Sequence, residues 1–323
     1  MLHETYVTGD TTAENKTVCP RVLVLLAARN GAVWIQEQID SILQQTDVDV
    51  RIVVSDDCSI DHTRSCVQKF SSTGSVRLIS PTLATGSAAR NFFFLVESNG
   101  DVAEFDLVAF ADQDDIWLPD KLARASRVMA AYGADGYSSA VLAQWGNGRT
   151  RALVQSRCTT RGDFLFEGAG QGCTFVLSRA FYQRLRAFYG AHTDLTCSIH
   201  YHDWATYALA RVWQLRWALD PCPTVRYRQH PQNDTGARYS AAGIGMRIQR
   251  ILNGWYRNQI RAVTRLCLAA APHDPFMLEW MKLQSSPPSL VRSLKIASFC
   301  MRNGRRKALD NIVLVSAAFA GLI

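Results

Sequence analysis

The chain has 323 residues, 48% of them hydrophobic and 20% charged, with a net charge of +7. That length and apolar content give a globular protein of one large or two ordinary domains. Nine cysteines, at 19, 58, 66, 158, 173, 197, 222, 267 and 300, fall singly with no CxxC pair. This spacing excludes a zinc module and predicts small buried thiols in a reducing compartment, without a structural disulfide.

In chain order, residues 1–19 are polar and lack a charged-then-apolar signal pattern, which predicts a short disordered leader on a cytoplasmic protein. Four β-branched and aliphatic runs follow, RVLVLLAA (21–28), VRIVVS (50–55), SVRLIS (75–80) and LVAFA (107–111). Between them lie segments of helical period: Trp34 or Ile35, Ile39, Ile42 and Leu43 share one face, as do Phe92, Leu95 and Val96. Strand alternating with helix predicts an α/β fold, a Rossmann-like and mostly parallel sheet with helices on both faces. Ligands of such sheets bind where the strands end.

Those ends are polar. The first strand runs into Ala28, Arg29, Asn30 and Gly31, the second into Asp56, Asp57, Ser59, Asp61 and Thr63, and the fourth into Asp112, Gln113, Asp114 and Asp115. There is no GxGxxG and no GxxxxGK[ST], which argues against a dinucleotide fold and a P-loop. Paired carboxylates at a strand end can instead hold Mg²⁺ or Mn²⁺, and such a cation neutralises a diphosphate. A plainer reading competes: Asp114 or Asp115, ahead of WLPDKL with its Pro119, would also cap a helix. Asp56, Asp61 and Thr63 likewise suit an Asx-turn or cap after the second strand.

LAARNGAVWIQEQIDSILQQT, VVSDDCSIDHT, AARNFFFLV and AFADQDDIWLPDKL together resemble family 2 glycosyltransferases of the GT-A fold, in their bacterial rhamnosyltransferase-like branch. EGAGQGCTFVLSR, HYHDWATYALA and VRYRQHPQNDTGAR are similar, in order and spacing, to that branch's acceptor-side segments. The resemblance covers about residues 20–240, with 20–132 as the nucleotide-sugar half and 133–240 as the acceptor half. It implies that Ala28, Arg29, Asn30, Asp57 and Asn91 cradle the nucleotide. It makes Asp112 and Asp114 the metal pair, Asp114 the more direct ligand, with Gln113 beside them. Asp203 becomes the base that deprotonates the acceptor hydroxyl, flanked by His202 and Trp204; the bland alternative is that Asp203 caps its helix. Gly170, Gln171 and Gly172 line the ligand or make a tight turn. His230 and Asn233 lie in a loop over the diphosphate, where His230 either completes the metal's shell or is an ordinary polar residue, and Arg228 is a phosphate partner. The implied donor is dTDP-L-rhamnose, with a UDP-hexose as the alternative, and the implied acceptor is a glycan or lipid-linked glycan precursor.

From residue 240 onward twelve Lys/Arg face three acids, a net of +9, so the first 239 residues sum to −2. Residues 241–323 thus read as a basic helical appendage. Ile244, Ile248, Ile251, Leu252, Trp255 and Ile260 alternate with arginines, the makeup of an amphipathic helix lying on an anionic membrane surface. A helix packed on the catalytic domain is the alternative. The closing NIVLVSAAFAGLI is too short to span a bilayer, so the expectation is a peripheral protein on the inner face of the cell membrane. A basic tail also suits nucleic acid, but no recognised module accompanies it, and no nucleic-acid partner is expected. A degenerate, non-catalytic member is disfavoured by Asp112, Asp114 and Asp203.

Overall fold

The computed structural model describes residues 19–155, 159–231, 233 and 241–323. Except for Cys19, the expected leader lies outside the described residues, as do Cys158, Gln232, 234–240 and the side chain of Ile244.

The strands are β1 (Arg21–Ala28), β2 (Asp49–Asp56), β3 (Val76–Ile79), β4 (Leu107–Asp112), β5 (Ile116–Trp117), β6 (Gly136–Trp145), β7 (Thr150–Leu153), β8 (Val176–Ser178) and β9 (Trp217–Gln229). The helices before residue 241 are α1 (Ile35–Leu43), α2 (Thr63–Gln68), α3 (Ala88–Ser98), α4 (Lys121–Tyr132), α5 (Arg179–Ala191), α6 (Thr193–Thr196) and α7 (His202–Val212). After it come α8 (Ala241–Leu252), α9 (Trp255–Ala270), α10 (Pro275–Ser285), α11 (Leu290–Asn303) and α12 (Ala308–Phe319).

Among the described residues one sheet runs in the order β3-β2-β1-β4-β8-β6-β9-β5, with β7 on β6. Its first four strands are parallel, and β1 and β4 carry the unbroken apolar runs of strands covered on both faces. In β1, Val22, Val24 and Leu26 enter the core under α1, while Leu23 and Leu25 enter the core on the opposite face. The acceptor half adds mixed pairings: β8 is antiparallel to β4 and β6, β9 is parallel to β6, and β5 is antiparallel to β9.

The C-terminal region is helical, as expected, but it is no appendage. Ile260, Leu266, Trp280 and Phe299 are at most 1% exposed and belong to one core with Phe164, Phe166 and Tyr207 of the acceptor half. Each such side chain contributes about 1.5–3 kcal/mol on burial. The single amphipathic helix expected from Ile244 to Ile260 is two helices: Gly254, at φ 76°, turns the chain, and Trp255 N donates to Asn253 Oδ1. No helix of the described residues is long and apolar enough to cross a membrane. Their eight cysteines are free thiols.

Candidate active site

Sheet register places the first cluster. Ala28 of β1 pairs with Asp56 of β2, and Ala27 with Asp112 of β4, so the three chains leave the sheet side by side. Gln113 clamps the first to the third: Arg29 N donates to Gln113 Oε1 at 2.8 Å and Gln113 Nε2 to Arg29 O at 2.9 Å. Arg29 Nη1 lies 3.3 Å from Asp57 Oδ2, and Asp57 also accepts from Thr85 N and Oγ1. Asn91 is buried, its amide spent on Ser55 Oγ and on the carbonyls of Ala28 and Ser55, so it fixes the two strand ends. Asn30, in the left-handed region at φ 50°, accepts from Ile60 N and donates its own N–H to Ser59 Oγ. Asp61 accepts from Thr63 N, the geometry of an Asx-turn, and from Ala32 N. The buried Asp56 Oδ1 has no hydrogen-bond partner.

The second cluster forms because β9 runs antiparallel to β5 with Ile116 opposite Arg226. Continued past the strand end, that register sets Arg228 against Asp114, and Arg228 Nη1 donates to Asp114 O at 3.4 Å. Two residues on, His230 Nε2 lies 2.9 Å from Asp114 Oδ2. The ring is held by stacking on Trp34, 4.2 Å between centroids, and by Asn233, whose Oδ1 accepts from His230 N. Its Nδ1 is buried without a hydrogen-bond partner. Glu37 forms an ion pair with Arg228, and Gln38 Nε2 donates to Asp112 O at 2.9 Å. Trp34, Glu37 and Gln38 were read from the sequence only as parts of a helix; their apolar neighbours gave the period, and nothing local marks their partners.

Neither acid of the fourth-strand cluster caps a helix, contrary to the plainer reading. Residues 116–117 form β5, and the N-cap of α4 is Asp120. Asp115 is fully buried, and burial, followed by the charges of Asp114 and Asp112, raises its pKa well above the usual range. Oxygens of Asp112 and Asp115 and the Cys173 sulfur lie within 4.8 Å of one another. Behind them the Lys121 ammonium sits 3.7 Å from the Trp117 ring centroid, its pKa pushed down to about 7 by burial. In the sequence Asp115 reads as a cap and Cys173 as a small apolar residue; only the fold brings them together.

The third cluster opens α7. Its N-cap is Tyr201, without a side-chain bond, so Asp203 is not the cap; it lies in the first turn and accepts from Trp204 N at 2.7 Å. A carboxylate there is favoured by the helix dipole. His202 stacks on Phe92 at 3.7 Å, and burial pushes its pKa down to about 3, so the imidazole is neutral. Glycine is required opposite: a Cβ on Gly172 would sit 2.6 Å from His202 Nε2 and 3.1 Å from Asp203 Cβ. Gly170 takes φ 123°, and Gln171 Oε1 is buried without a hydrogen-bond partner. Trp204 points away, donating from Nε1 to Phe164 O and stacking on Tyr256. Glu167, the other acid nearby, is tied to the tail: Arg305 Nη2 lies 3.3 Å from its Oε2, and Arg306 N donates to its Oε1 at 2.6 Å.

These clusters converge on one cavity of about 510 Å³. Ala28, Arg29, Asp57, Asn91, Asp112, Gln113 and Asp114 line one side, and Gly170, Gln171, Gly172, Asp203 and Asn233 the other. Asn30, Arg228 and His230 are not among the residues that line it, and Trp204 lines a second cavity instead. The cavity holds carboxylates at both ends, as a site for phosphate neutralisation and proton abstraction requires.

The family model described as "Glycosyl transferase family 2" matches residues 23–198. The dTDP-rhamnosyl transferase RfbG of Shigella flexneri is 35% identical over 240 residues, 74% of this chain and 83% of that protein. A glucosyltransferase of Escherichia coli, WfgD, named for a GlcNAc-diphosphoundecaprenol acceptor, is 33% identical over 31% of this chain and 38% of its own. Among solved structures, S. aureus TarS 1-349 in complex with UDP has a TM-score of 0.50 at 15% identity, covering 93% of this chain and 87% of that one. The mannosyltransferase PcManGT of Pyrobaculum calidifontis, solved with GDP-Man and Mn²⁺, also has a TM-score of 0.50, at 18% identity, covering 95% of this chain and 88% of that one. The family match, the RfbG-like sequence and the GT-A architecture agree, and the chain belongs to glycosyl transferase family 2, in which it is a rhamnosyltransferase-like glycosyltransferase.

Proposed function

We propose that the enzyme is an inverting, metal-dependent glycosyltransferase that moves L-rhamnose from dTDP-L-rhamnose to a hydroxyl of a cell-surface glycan precursor. The observation that carries this reading is that Asp112 and Asp114 share one cavity with Asp203, across a floor of glycines. The name of RfbG supports the donor, and that of WfgD supports a lipid-diphosphate-linked acceptor.

The donor set fits a hard divalent cation: the carboxylates of Asp112 and Asp114 suit Mg²⁺ or Mn²⁺, and His230 turns its Nε2 toward Asp114 Oδ2 at 2.9 Å. Asp112, Asp114 and His230 would hold it. When bound, the cation neutralises the charge that develops on the departing nucleoside diphosphate. The chain's own residues do the rest. Arg29 and Asp57 bind the nucleoside end, and Asn91 fixes the two strand ends that carry them. Asp203 takes the proton of the acceptor hydroxyl as its oxygen bonds to the anomeric carbon, while the bond from that carbon to the phosphate oxygen breaks and its electron pair leaves with the diphosphate. Attack from the Asp203 side inverts the anomeric configuration. Exposed apolar and basic residues of the C-terminal helices, Ile248 and Leu252 among them, support peripheral attachment at the cytoplasmic face of the membrane.

The test is a nucleotide-sugar turnover panel with Mn²⁺ or Mg²⁺. Turnover of dTDP-rhamnose well above UDP-hexoses is expected; preference for a UDP-hexose replaces the donor, and turnover of none sinks the reading.

A further inference from the structure

Asp115 follows the rim pair in sequence but does not line the first cavity; its side chain is fully buried, and neither carboxyl oxygen has a hydrogen-bond partner. Burying a carboxyl group without donors is costly, and such a group calls for a partner. The nearby ammonium does not serve, because Lys121 Nζ lies over the Trp117 ring and is itself without a hydrogen-bond partner. The neighbour that Asp115 does have is sulfur. Cys173, in the turn that precedes β8, is fully buried, and one ligand atom from each of Asp112, Asp115 and Cys173 lies within 4.8 Å of the others. A tetrahedral Zn²⁺, with bonds of about 2.0–2.3 Å to oxygen and sulfur, sets its ligand atoms about 3.4–3.6 Å apart, a spacing that side-chain rotation reaches from this arrangement. Asp112 lines the first cavity and the other two do not, so an ion would enter past Asp112, and water from the cavity would fill its fourth position.

The sulfur separates this set from the rim pair. Carboxylates alone suit the hard Mg²⁺ or Mn²⁺, whereas a thiolate selects softer cations such as Zn²⁺ and Cd²⁺. The ligands come from separate segments, so the absence of a CxxC pair does not bear on them. We propose that Asp112, Asp115 and Cys173 form a second, thiophilic cation site, which takes Zn²⁺ behind the donor-binding rim. Binding forms the sulfur–metal bond and releases the thiol proton to solvent. Because Asp112 belongs to both sets, Zn²⁺ held there withdraws it from Asp114 and lowers turnover. That consequence, unlike the binding itself, rests on the reading of Asp112 as a ligand of the catalytic cation.

The test is ultraviolet titration of the reduced full chain with Cd²⁺, whose bond to a thiolate gives a charge-transfer band. The first equivalent should produce the band in the wild type, and Zn²⁺ should bleach it by displacement. Cys173→Ser and Cys173→Ala should lose the band, and Asp115→Asn should weaken Cd²⁺ binding by at least about tenfold. Asp114→Asn should keep it, as should Cys197→Ser at an exposed thiol. Melting temperatures of the variants show that the fold is kept. A band that survives in both Cys173 variants marks adventitious binding by exposed thiols and overturns the proposal. So does the absence of a band in the wild type, equal Cd²⁺ affinity in Asp115→Asn, or loss of the band in Asp114→Asn, which would place the ion at the rim pair. In Mn²⁺-supported donor turnover, Zn²⁺ should inhibit the wild type and spare Cys173→Ala; equal inhibition of both overturns the link to catalysis. Failure of the nucleotide-sugar panel would remove the donor reading without altering the Cd²⁺ titrations, so the two failures are distinguishable.

Discussion

His230 Nε2 lies 2.9 Å from Asp114 Oδ2, a contact between the loop that follows β9 and the loop that follows β4, 116 residues apart in sequence. The stack on Trp34 fixes the imidazole plane, so the contact joins three separate segments. Asp114→Ala and His230→Ala are each expected to weaken dTDP binding by about tenfold or more in Mn²⁺ and to leave it unchanged in EDTA, because the side chains act through the ion. Calorimetry under both conditions checks this. Equal losses with and without the metal would make both residues direct nucleotide contacts or structural ones.

A second prediction concerns the tail. The Arg306 side chain is 2% exposed, with Nη1 3.2 Å from Asp163 Oδ2 and Nη2 donating to Gly168 O. Asp163 also takes Arg211 and the Tyr207 hydroxyl, so loss of Arg306 leaves a buried acid short of a counter-charge. Arg306→Ala is expected to cost about 3–5 kcal/mol. Arg302→Ala, at an exposed site on α11, should cost within about 0.5 kcal/mol. A chain ended at residue 240 should show no cooperative unfolding, since Trp280, Phe299 and Ile260 leave the core with it. A sharp thermal transition of that fragment would contradict the shared core.

A third follows from His202. Its pKa in the fold is about 3, lowered by burial from 6.5. Below pH 6.5 the unfolded chain binds this proton and the folded chain does not, so stability falls with acid, by about 1.4 kcal/mol per pH unit until the folded pKa is reached. The stability difference between wild type and His202→Gln should therefore shrink from pH 7 to pH 4. Denaturant melts at several pH values measure it; a difference that stays constant would mean that the ring titrates normally.

The parallel half of the sheet was legible because strands covered on both faces need unbroken apolar runs, and β1 and β4 have them, with β2 broken only at Arg51. β9 is not among the four strand runs read from the sequence, because Pro221 and Pro223 interrupt its pattern where its register against β6 shifts. The rim acids and Asp203 were visible as motifs. Their supports were not, since Trp34, Gln38 and Cys173 meet the motif residues only through the fold. The tail misled for an electrostatic reason: Arg305 and Arg306 read as surface charge until Glu167 and Asp163, 138 to 143 residues earlier, are found beside them.

The central claim is that Asp203 is the base and that donor binding belongs to the opposite wall. Asp203→Asn keeps the side chain's size and its bond from Trp204 N within reach, yet it cannot take a proton at neutral pH. With saturating donor, acceptor and Mn²⁺, sugar transfer is expected to fall by about two to four orders of magnitude while dTDP affinity stays at the wild-type value. A variant that keeps a tenth or more of wild-type turnover would contradict the account and move the base elsewhere, with Glu167, released from Arg305 and Arg306, the next residue to test.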